Sequence, residues 1–179
     1  EIEKALIEVK PKLLAVVHGD TSTTVAQPFD ELGALAHKHG ALLYSDTTAS
    51  LGGNTFLTDE WEVDVVSAGL QKCLAGPSGS APITISDAAR AVIEAGIRSE
   101  GDPVLANPIR SNYLDLAQIL DYWGPKRLNH HTEATTMLYG ARECARIILE
   151  EGLEGTVERH RLHGGAMAAR GTARCGASA

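Results

Sequence analysis

The chain has few aromatic residues, no excess of positive charge and no long apolar run. Aromatic residues make up 4% of its 179 residues, and the formal net charge is −7. Nucleic acid is bound through clustered basic groups and, when single-stranded, through aromatic stacking, so we expect no nucleic-acid partner. No apolar run approaches the roughly 20 residues that a membrane-spanning helix needs. The sequence therefore predicts neither a nucleic-acid-binding nor a membrane protein.

Cysteine is also scarce. The three cysteines, Cys73, Cys144 and Cys175, are odd in number and show no C-x-x-C spacing. This pattern predicts reduced thiols in a cytosol-like compartment, without a disulfide framework or a zinc knuckle. We therefore expect a cytoplasmic protein. The first residue is Glu1 and not Met, so N-terminal targeting cannot be judged from this sequence.

Short apolar runs alternate with helical spacing over the first half of the chain. Helices are predicted at Glu1–Val9 and at Pro28–His39, and a third helix is predicted after Ser86, up to Glu94. The predicted strands are Leu13–Val17, Ala41–Ser45, Val63–Ser67 and Pro82–Ser86. This order predicts an α/β fold with a mostly parallel sheet. Because the strands show little polar alternation, we expect helices on both faces of the sheet.

The second half of the chain is predicted to be helical after a long connection. Residues 96–112 contain Gly, Pro and Asn and predict a functional loop or a surface excursion. Helices are then predicted at Tyr113–Trp123, at Glu133–Glu151 and from Leu153 to Ala169. The last ten residues have no periodicity, which predicts an unstructured tail.

Three polar sites follow predicted strands, at Thr21, Asp46 and the pair Gln71-Lys72. In open α/β sheets the ligand crevice lies at the carboxyl ends of the strands, so these residues should converge. A lysine, a carboxylate and hydroxyl groups suit pyridoxal 5′-phosphate (PLP): the amine condenses with the aldehyde, and the carboxylate keeps the pyridine nitrogen protonated. A lone Asp after a strand is more often a turn cap, and a lone Lys is usually solvated. The residues alone leave both interpretations open.

Four ordered blocks of sequence add a family resemblance. They are His18-Gly-Asp-Thr-Ser-Thr-Thr24, Tyr44-Ser-Asp-Thr-Thr-Ala-Ser-Leu-Gly-Gly53, Ser67-Ala-Gly-Leu-Gln-Lys72 and Asn129-His-His-Thr132. Together with the Asp-to-Lys spacing, they resemble the class V PLP-dependent aminotransferases. The alanine/serine–glyoxylate branch is similar in all four blocks. Within it, residues 122–136 and 140–146 resemble the (S)-ureidoglycine–glyoxylate aminotransferases of purine breakdown.

The resemblance implies part of a fold-type I PLP-dependent transferase. Residues 1–125 would belong to the PLP-binding large domain, and residues 126–170 would lead toward the small domain, followed by the tail at residues 171–179. The family's glycine-containing phosphate loop and its carboxylate-binding arginine match no position of this chain. The resemblance therefore implies a site that residues outside the chain complete.

The resemblance also assigns roles to residues that match the family's motifs. Lys72 would bind the cofactor covalently and move a proton between substrate and cofactor, and Asp46 would pair with the pyridinium nitrogen. Thr21 would hydrogen-bond the 3′-oxygen of the ring, Thr48 would lie against the ring face, and Gln71 would contact the phosphate.

Two further residues are implied to act at a subunit interface. Thr132 matches a residue that reaches the phosphate of the neighbouring subunit, which implies a homodimer with shared active sites. Asn129 stands where several relatives carry an aromatic residue. Its amide can both donate to and accept from a ureido group, which favours (S)-ureidoglycine as the amino donor and glyoxylate as the acceptor.

Several alternatives stay open at this point. Alanine– or serine–glyoxylate transamination is the nearest, and an inactive remnant that only dimerises or binds ligand would share every motif. A carbon–sulfur lyase of the same fold is disfavoured, because those enzymes usually carry His where Gln71 stands. We expect no metal site, since the adjacent His130 and His131 cannot face one ion from a helix. The pair His160 and His163 has no evident third ligand.

Overall fold

A computed structural model describes residues 1–98, 111, 113–125, 127 and 129–176 of the chain. Within that part the backbone forms six helices and six strands. The helices are α1 (Ile2–Val9), α2 (Leu32–Lys38), α3 (Asp87–Arg98), α4 (Leu116–Trp123), α5 (Thr135–Glu151) and α6 (Leu153–Gly176). The strands are β1 (Leu13–Val17), β2 (Gly19–Asp20), β3 (Val25–Ala26), β4 (Leu42–Asp46), β5 (Val65–Ser67) and β6 (Ile83–Ile85). Most of the predicted connection at 96–112 lies outside the described residues.

The main sheet has four strands in the order β1-β4-β5-β6. The pairs β1–β4 and β4–β5 are parallel, and β6 runs antiparallel to β5. The prediction of a mostly parallel sheet is thus confirmed. The strand predicted at Ala41–Ser45 begins and ends one residue later, so Asp46 is the last residue of β4 and does not follow it. The antiparallel pair β2–β3 is too short to leave a periodic signal in the sequence.

The hydrophobic core lies on one face of this sheet. In β4 the side chains of Leu43 and Ser45 are fully buried, and Val66 of β5 is 4% exposed. Helix α1 contributes Leu6 to the core and helix α2 contributes Ala36. Burying a side chain as large as that of Leu6 stabilises the fold by about 1.5–3 kcal/mol. The amphipathic face of each helix therefore decides which side of the sheet the helix covers.

Helix α2 approaches the core closely at Gly33. A Cβ atom at Gly33 would lie 2.1 Å from the carbonyl oxygen of Trp61 and 2.6 Å from that of Glu62. Backbone atoms cannot yield as a side chain does, so only glycine fits here. This contact fixes α2 against the segment that leads into β5.

The opposite face of the sheet is open in the described chain. Leu13 is 50% exposed, Val17 48% and Ile83 42%, and all three project from this face. The predicted mostly parallel sheet flanked by helices is nevertheless confirmed: on the same face, the inner strands β4 and β5 have partly buried side chains, and the exposed ones lie on the outer strands β1 and β6.

A buried carboxylate ties three elements together at the amino-terminal edge of the sheet. Asp64 is 3% exposed. It accepts hydrogen bonds from the backbone N–H of Leu43 at 2.8 Å, from the hydroxyl of Ser86 at 2.8 Å and from Nε2 of His37 at 2.7 Å. Burial is the largest influence and would raise the pKa of Asp64, but these hydrogen bonds together lower it. The hydrogen bond to Asp64 also raises the pKa of His37, whose other nitrogen lies 3.1 Å from Glu62.

The carboxyl-terminal part of the described chain is helical beyond the predicted limit. Helix α6 extends to Gly176, so the predicted unstructured tail is wrong for residues 171–176, and residues 177–179 lie outside the described residues. Alanine has the highest intrinsic helix propensity, and four alanines in the last part of α6 favour a helix that has no apolar stripe: Ala166, Ala168, Ala169 and, within residues 171–176, Ala173. Within the described residues, no helix combines the length and apolar character needed to cross a membrane.

Candidate active site

Three neighbouring strands end at one edge of the sheet. The register aligns Val17 of β1 with Asp46 of β4, and Asp46 with Ser67 of β5. The segments that carry Thr21, Asp46 and Lys72 therefore begin side by side. This edge lies at the opposite end of the strands from Asp64, so the two polar regions of the sheet are separate.

Asp46 is partly buried and held in place through both its side chain and its backbone. Its Oδ1 atom accepts a hydrogen bond from the N–H of Thr48 at 2.8 Å, and its carbonyl oxygen accepts one from the N–H of His18 at 2.9 Å. Tyr44 lies two residues earlier on the same face, with its hydroxyl 2.7 Å from Oγ of Ser67. Asp46 does cap a turn, as a lone Asp commonly does. The cap also fixes its carboxylate at the strand end.

Lys72 lies in a tight turn directly after β5, and its side chain is exposed. Leu70, two residues before it, is 4% exposed, and its carbonyl oxygen accepts the N–H of Gly76 at 2.7 Å. Within the turn, the N–H of Ala75 donates to the carbonyl oxygen of Lys72 at 2.8 Å. The buried leucine anchors the turn, so the lysine amine projects from a fixed backbone.

Cys73 joins the lysine turn to the segment after β4. Its thiol donates to the carbonyl oxygen of Ala49 at 3.3 Å. Partial burial raises the pKa of Cys73, so the thiol is less acidic than a free cysteine. Cys73 thus packs between the two segments, and its contact brings the Asp46 and Lys72 segments together.

Thr48 and Gln71 line one cavity, whose volume is about 730 Å³. Its lining also includes Tyr113, His131 and Glu133. Cavities of roughly 300–1,000 Å³ commonly bind small molecules and cofactors. A hydroxyl and an amide at the strand ends thus face a space large enough for a ligand of that class.

Thr21 lies in the loop of the small hairpin formed by β2 and β3, and it is exposed. The loop is closed by Asp20, whose carboxylate accepts the N–H of Ser22 at 3.0 Å and the hydroxyl of Thr23 at 2.7 Å. The first of these hydrogen bonds is the main reason why the pKa of Asp20 is lowered. Among the described residues, no hydrogen bond joins Thr21 to Asp46 or Lys72. The structure brings Thr21 to the same edge of the sheet but not into contact with them.

A buried histidine that the sequence did not single out connects two of these segments. His18 is 4% exposed, and its Nδ1 atom lies 2.8 Å from Oγ of Ser50. The rings of Phe29 and Phe56 pack against it with centroids 5.4 and 4.9 Å away. Burial lowers the pKa of His18, which favours the neutral ring. The cluster fixes the loop after β1 against the loop after β4. A His directly after a short apolar run was the only sequence signal for it.

The segment 129–133 has some side chains exposed to solvent and others that line the cavity. Asn129 and Thr132 are exposed. His131 faces inward, with Nε2 3.0 Å from the carboxylate of Glu133 and Nδ1 2.8 Å from Nδ1 of His130. The two residues assigned to a subunit interface, Asn129 and Thr132, are thus exposed and do not line the cavity of their own chain.

The described residues contain no group of three or more His, Cys, Asp or Glu side chains arranged to hold a metal ion. His160, one of the weaker metal candidates, instead lies with Nδ1 2.8 Å from the carbonyl oxygen of Thr156. The donor set at the strand ends is an amine, a carboxylate, an amide and hydroxyls. These groups fit an organic cofactor that carries an aldehyde, a basic ring nitrogen and a phosphate.

Comparison with known proteins identifies relatives of this chain. The chain is 47% identical over 178 residues to the (S)-ureidoglycine–glyoxylate transaminase of Bacillus subtilis, which covers 94% of this chain and 43% of the relative. It is 40% identical over 164 residues to the alanine–glyoxylate aminotransferase of Drosophila melanogaster, covering 89% of this chain and 39% of the relative. The chain thus spans about two fifths of the length of these relatives.

The fold comparison gives the same family. The crystal structure of ureidoglycine–glyoxylate aminotransferase from Bacillus subtilis superposes with a TM-score of 0.85 at 48% identity, over 94% of this chain and 41% of that one. The predicted fold-type I PLP-dependent transferase architecture is confirmed. The family model for class-V aminotransferases matches residues 1–168. By its sequence and its fold, the chain belongs to the class-V aminotransferases.

Proposed function

We propose that the chain carries the cofactor-binding centre of a PLP-dependent aminotransferase. In its full-length form, that enzyme would move an amino group from (S)-ureidoglycine to glyoxylate. One observation carries the proposal: the contact of Cys73 with Ala49 joins the segment of Asp46 to the segment of Lys72. Thr48 and Gln71, which belong to the same two segments, line one cavity. A carboxylate and an amine on adjacent strand ends are the two groups that PLP chemistry needs from the protein.

Lys72 and Asp46 would carry the chemistry. Bound PLP supplies an electron sink for the carbanion formed at the substrate Cα. The amine of Lys72 would hold the cofactor and, once the amino group of the substrate has displaced it, would move the proton to and from the substrate Cα. The carboxylate of Asp46, held by Thr48, keeps the ring nitrogen protonated and so keeps the sink effective.

The remaining predicted site residues would hold the cofactor. Gln71 would bind the phosphate, Thr48 would lie against the ring, and Thr21 would hydrogen-bond the 3′-oxygen. Thr132 is exposed on the segment before α5, which suits a contact with the phosphate in a second subunit. We therefore propose a cytoplasmic homodimer whose sites are completed by both subunits and by segments outside this chain.

The amino donor is proposed from Asn129 and from the 47% identity to the Bacillus subtilis enzyme. Asn129 is exposed next to Thr132 and could read the ureido group of a donor across the interface. This would place the enzyme in purine breakdown. The alternative is alanine–glyoxylate transamination, which the 40% identity to the Drosophila melanogaster enzyme supports. The non-catalytic alternative is an inactive remnant of such an enzyme that only dimerises or binds ligand.

The test is covalent capture of the cofactor in the full-length protein. The protein is incubated with PLP and reduced with borohydride, and the peptides are mapped by mass spectrometry. We expect the pyridoxyl group on Lys72 and none in the Lys72→Ala variant. Lys38, which is ion-paired with Glu3 at 2.8 Å, provides the control position. Label mainly on Lys38 or another lysine would overturn the assignment.

A second measurement separates the proposed activities. The rate of amino transfer to glyoxylate is measured with (S)-ureidoglycine and with alanine as donors. A higher kcat/KM for (S)-ureidoglycine supports the proposed donor. A higher value for alanine supports the alternative, and capture on Lys72 without turnover of either donor supports the remnant.

A further inference from the structure

We infer that Gly69 and Gly53 are positioning residues that set the spacing between the segment after β4 and the lysine turn after β5. This inference rests on the proposed function, because it concerns how the same two segments are brought to one cofactor. Neither glycine has a positive φ angle, so backbone freedom does not explain them. What both share is a place where two segments of the site approach too closely for a side chain.

Gly69 lies between the two residues proposed to touch the cofactor's ring and phosphate. A Cβ atom at Gly69 would lie 2.9 Å from Cγ2 of Thr48 and 2.6 Å from Oε1 of Gln71. Contacts under 3.0 Å force one of the partners to move. The side chain of Gln71 folds back over Gly69, and it can do so only because no methyl group stands there.

Thr48 cannot move as freely as the amide of Gln71. Its N–H is bound to the carboxylate of Asp46 at 2.8 Å. Its methyl group also cannot rotate away without displacing its hydroxyl, because both atoms are attached to Cβ. An added methyl at Gly69 would therefore displace Gln71 first and then push on Thr48 and, through it, on Asp46. The absence of a side chain at Gly69 thus lets Gln71, Thr48 and Asp46 keep the positions in which they are proposed to contact the cofactor.

Gly53 has the corresponding role on the lysine side. A Cβ atom there would lie 2.5 Å from Sγ and 3.0 Å from Cβ of Cys73, and 3.3 Å from the ring of His160. Cys73 follows Lys72 directly and is already bound to Ala49. A side chain at position 53 would push Cys73 outward and shift the backbone from which the lysine amine projects.

The test is a double-mutant cycle read by cofactor affinity in the full-length protein. The Kd for PLP is measured by titration for the wild type, Gly69→Ala, Thr48→Ser and Gly69→Ala/Thr48→Ser. Overpacking by one methyl should raise Kd roughly tenfold in Gly69→Ala. Thr48→Ser removes the methyl group that lies 2.9 Å from the added Cβ. In the Thr48→Ser background, the same substitution should therefore raise Kd by a smaller factor.

The second arm reads the position of the lysine. At a fixed PLP concentration, the fraction of protein captured on Lys72 by borohydride should fall in Gly53→Ala. Capture should recover in Gly53→Ala/Cys73→Ala, which removes the sulfur atom that lies 2.5 Å from the added Cβ. Gly164→Ala is the control, because nothing lies within 4 Å of a Cβ at that position. It should bind and capture PLP as the wild type does.

Melting temperatures without PLP separate positioning from folding. If Kd and capture change only in proportion to the melting temperature, and Thr48→Ser and Cys73→Ala do not relieve the effect, the two glycines serve the fold alone. Unchanged PLP affinity in Gly69→Ala and unchanged capture in Gly53→Ala would also overturn the inference. Failure of the wild type to bind PLP would instead overturn the proposed function on which it rests.

Discussion

His37 and Asp64 form a hydrogen-bonded pair across 27 residues of sequence, with Nε2 of the histidine 2.7 Å from Oδ2 of the buried carboxylate. The pair connects α2 to the start of β5 at the edge of the sheet opposite the proposed cofactor site. Glu62 faces the other nitrogen of the same ring. Because each nitrogen of the imidazole faces a carboxylate, the folded structure favours the protonated form of His37.

This pair predicts how stability depends on pH. The pKa of His37 is raised above 6.5 in the folded chain, so its contribution is complete below about pH 6.5 and is lost as the pH rises through the folded pKa. The pKa of Asp64 is lowered below 3.8, so its contribution is present above that value and is lost as the pH falls through the folded pKa. Both contributions are therefore complete between about pH 4 and 6.5.

The corresponding experiment compares His37→Gln with the wild type by urea unfolding from pH 5 to 8.5. The free energy of unfolding of the wild type should fall on the alkaline side, and that of the variant should be flatter there. His39→Gln removes a neighbouring ring whose partner, Glu3, is on the surface, so it should keep the slope of the wild type. Equal slopes in His37→Gln and the wild type would contradict the prediction.

Asp46→Asn should lower turnover far more than it lowers PLP content. An asparagine side chain still has an oxygen atom that accepts the hydrogen bond from the N–H of Thr48, so the turn cap is kept. The charge that would hold the ring proton is lost. Losing an electrostatic contribution of this kind costs roughly 10²–10³ in rate. The kcat of the variant and its bound PLP are measured on the same preparation. Near-normal turnover would show that Asp46 is a turn cap and nothing more.

Asn129→Tyr should weaken the use of (S)-ureidoglycine more than the use of alanine. A site that hydrogen-bonds a substrate group loses about 1–3 kcal/mol when a polar partner is left unpaired. The kcat/KM values for both donors, with glyoxylate as acceptor, give the difference. An equal loss for both donors would mean that Asn129 supports the fold or the interface and does not read the donor.

Ser50→Ala should destabilise the fold, because it leaves the ring of His18 buried without its hydrogen-bond partner. An unpaired buried polar group costs about 1–3 kcal/mol. The free energy of unfolding is compared with that of Ser22→Ala, in which an exposed hydroxyl is removed from the loop of the small hairpin. A similar value for both variants would show that the aromatic packing around His18 is sufficient by itself.

The sequence predicted those parts of the fold that depend on local pattern. The run that ends at Ser45 is followed directly by Asp46, and the run that ends at Ser67 leads to Gln71 and Lys72. The strands and the end of the sheet that they share could therefore be found without a structure. The cofactor residues themselves were assigned through the family resemblance, because a lone Asp46 or Lys72 has no distinctive local pattern.

The parts that the sequence did not predict depend on contacts between distant residues. His18 and Ser50 are 32 positions apart, and the pair of His37 and Asp64 is 27 apart. Neither pair produces a periodic pattern in the sequence. A polar residue that is buried and hydrogen-bonded therefore cannot be distinguished from a surface residue by sequence alone. The close approaches at Gly69 are likewise invisible in the sequence, because a glycine after a strand more often marks a turn.

The open face of the sheet, with Leu13, Val17 and Ile83 exposed, determines what a melting temperature of this chain means. Apolar area of this kind is removed from water by any surface that docks on it, whether that surface is another copy or a segment of a longer protein. Binding to the folded form alone raises apparent stability by mass action. If that surface belongs to another copy, the midpoint of unfolding rises with protein concentration; if it belongs to the same longer chain, the midpoint does not depend on concentration. Stability is then a joint property of the chain and of whatever covers this face.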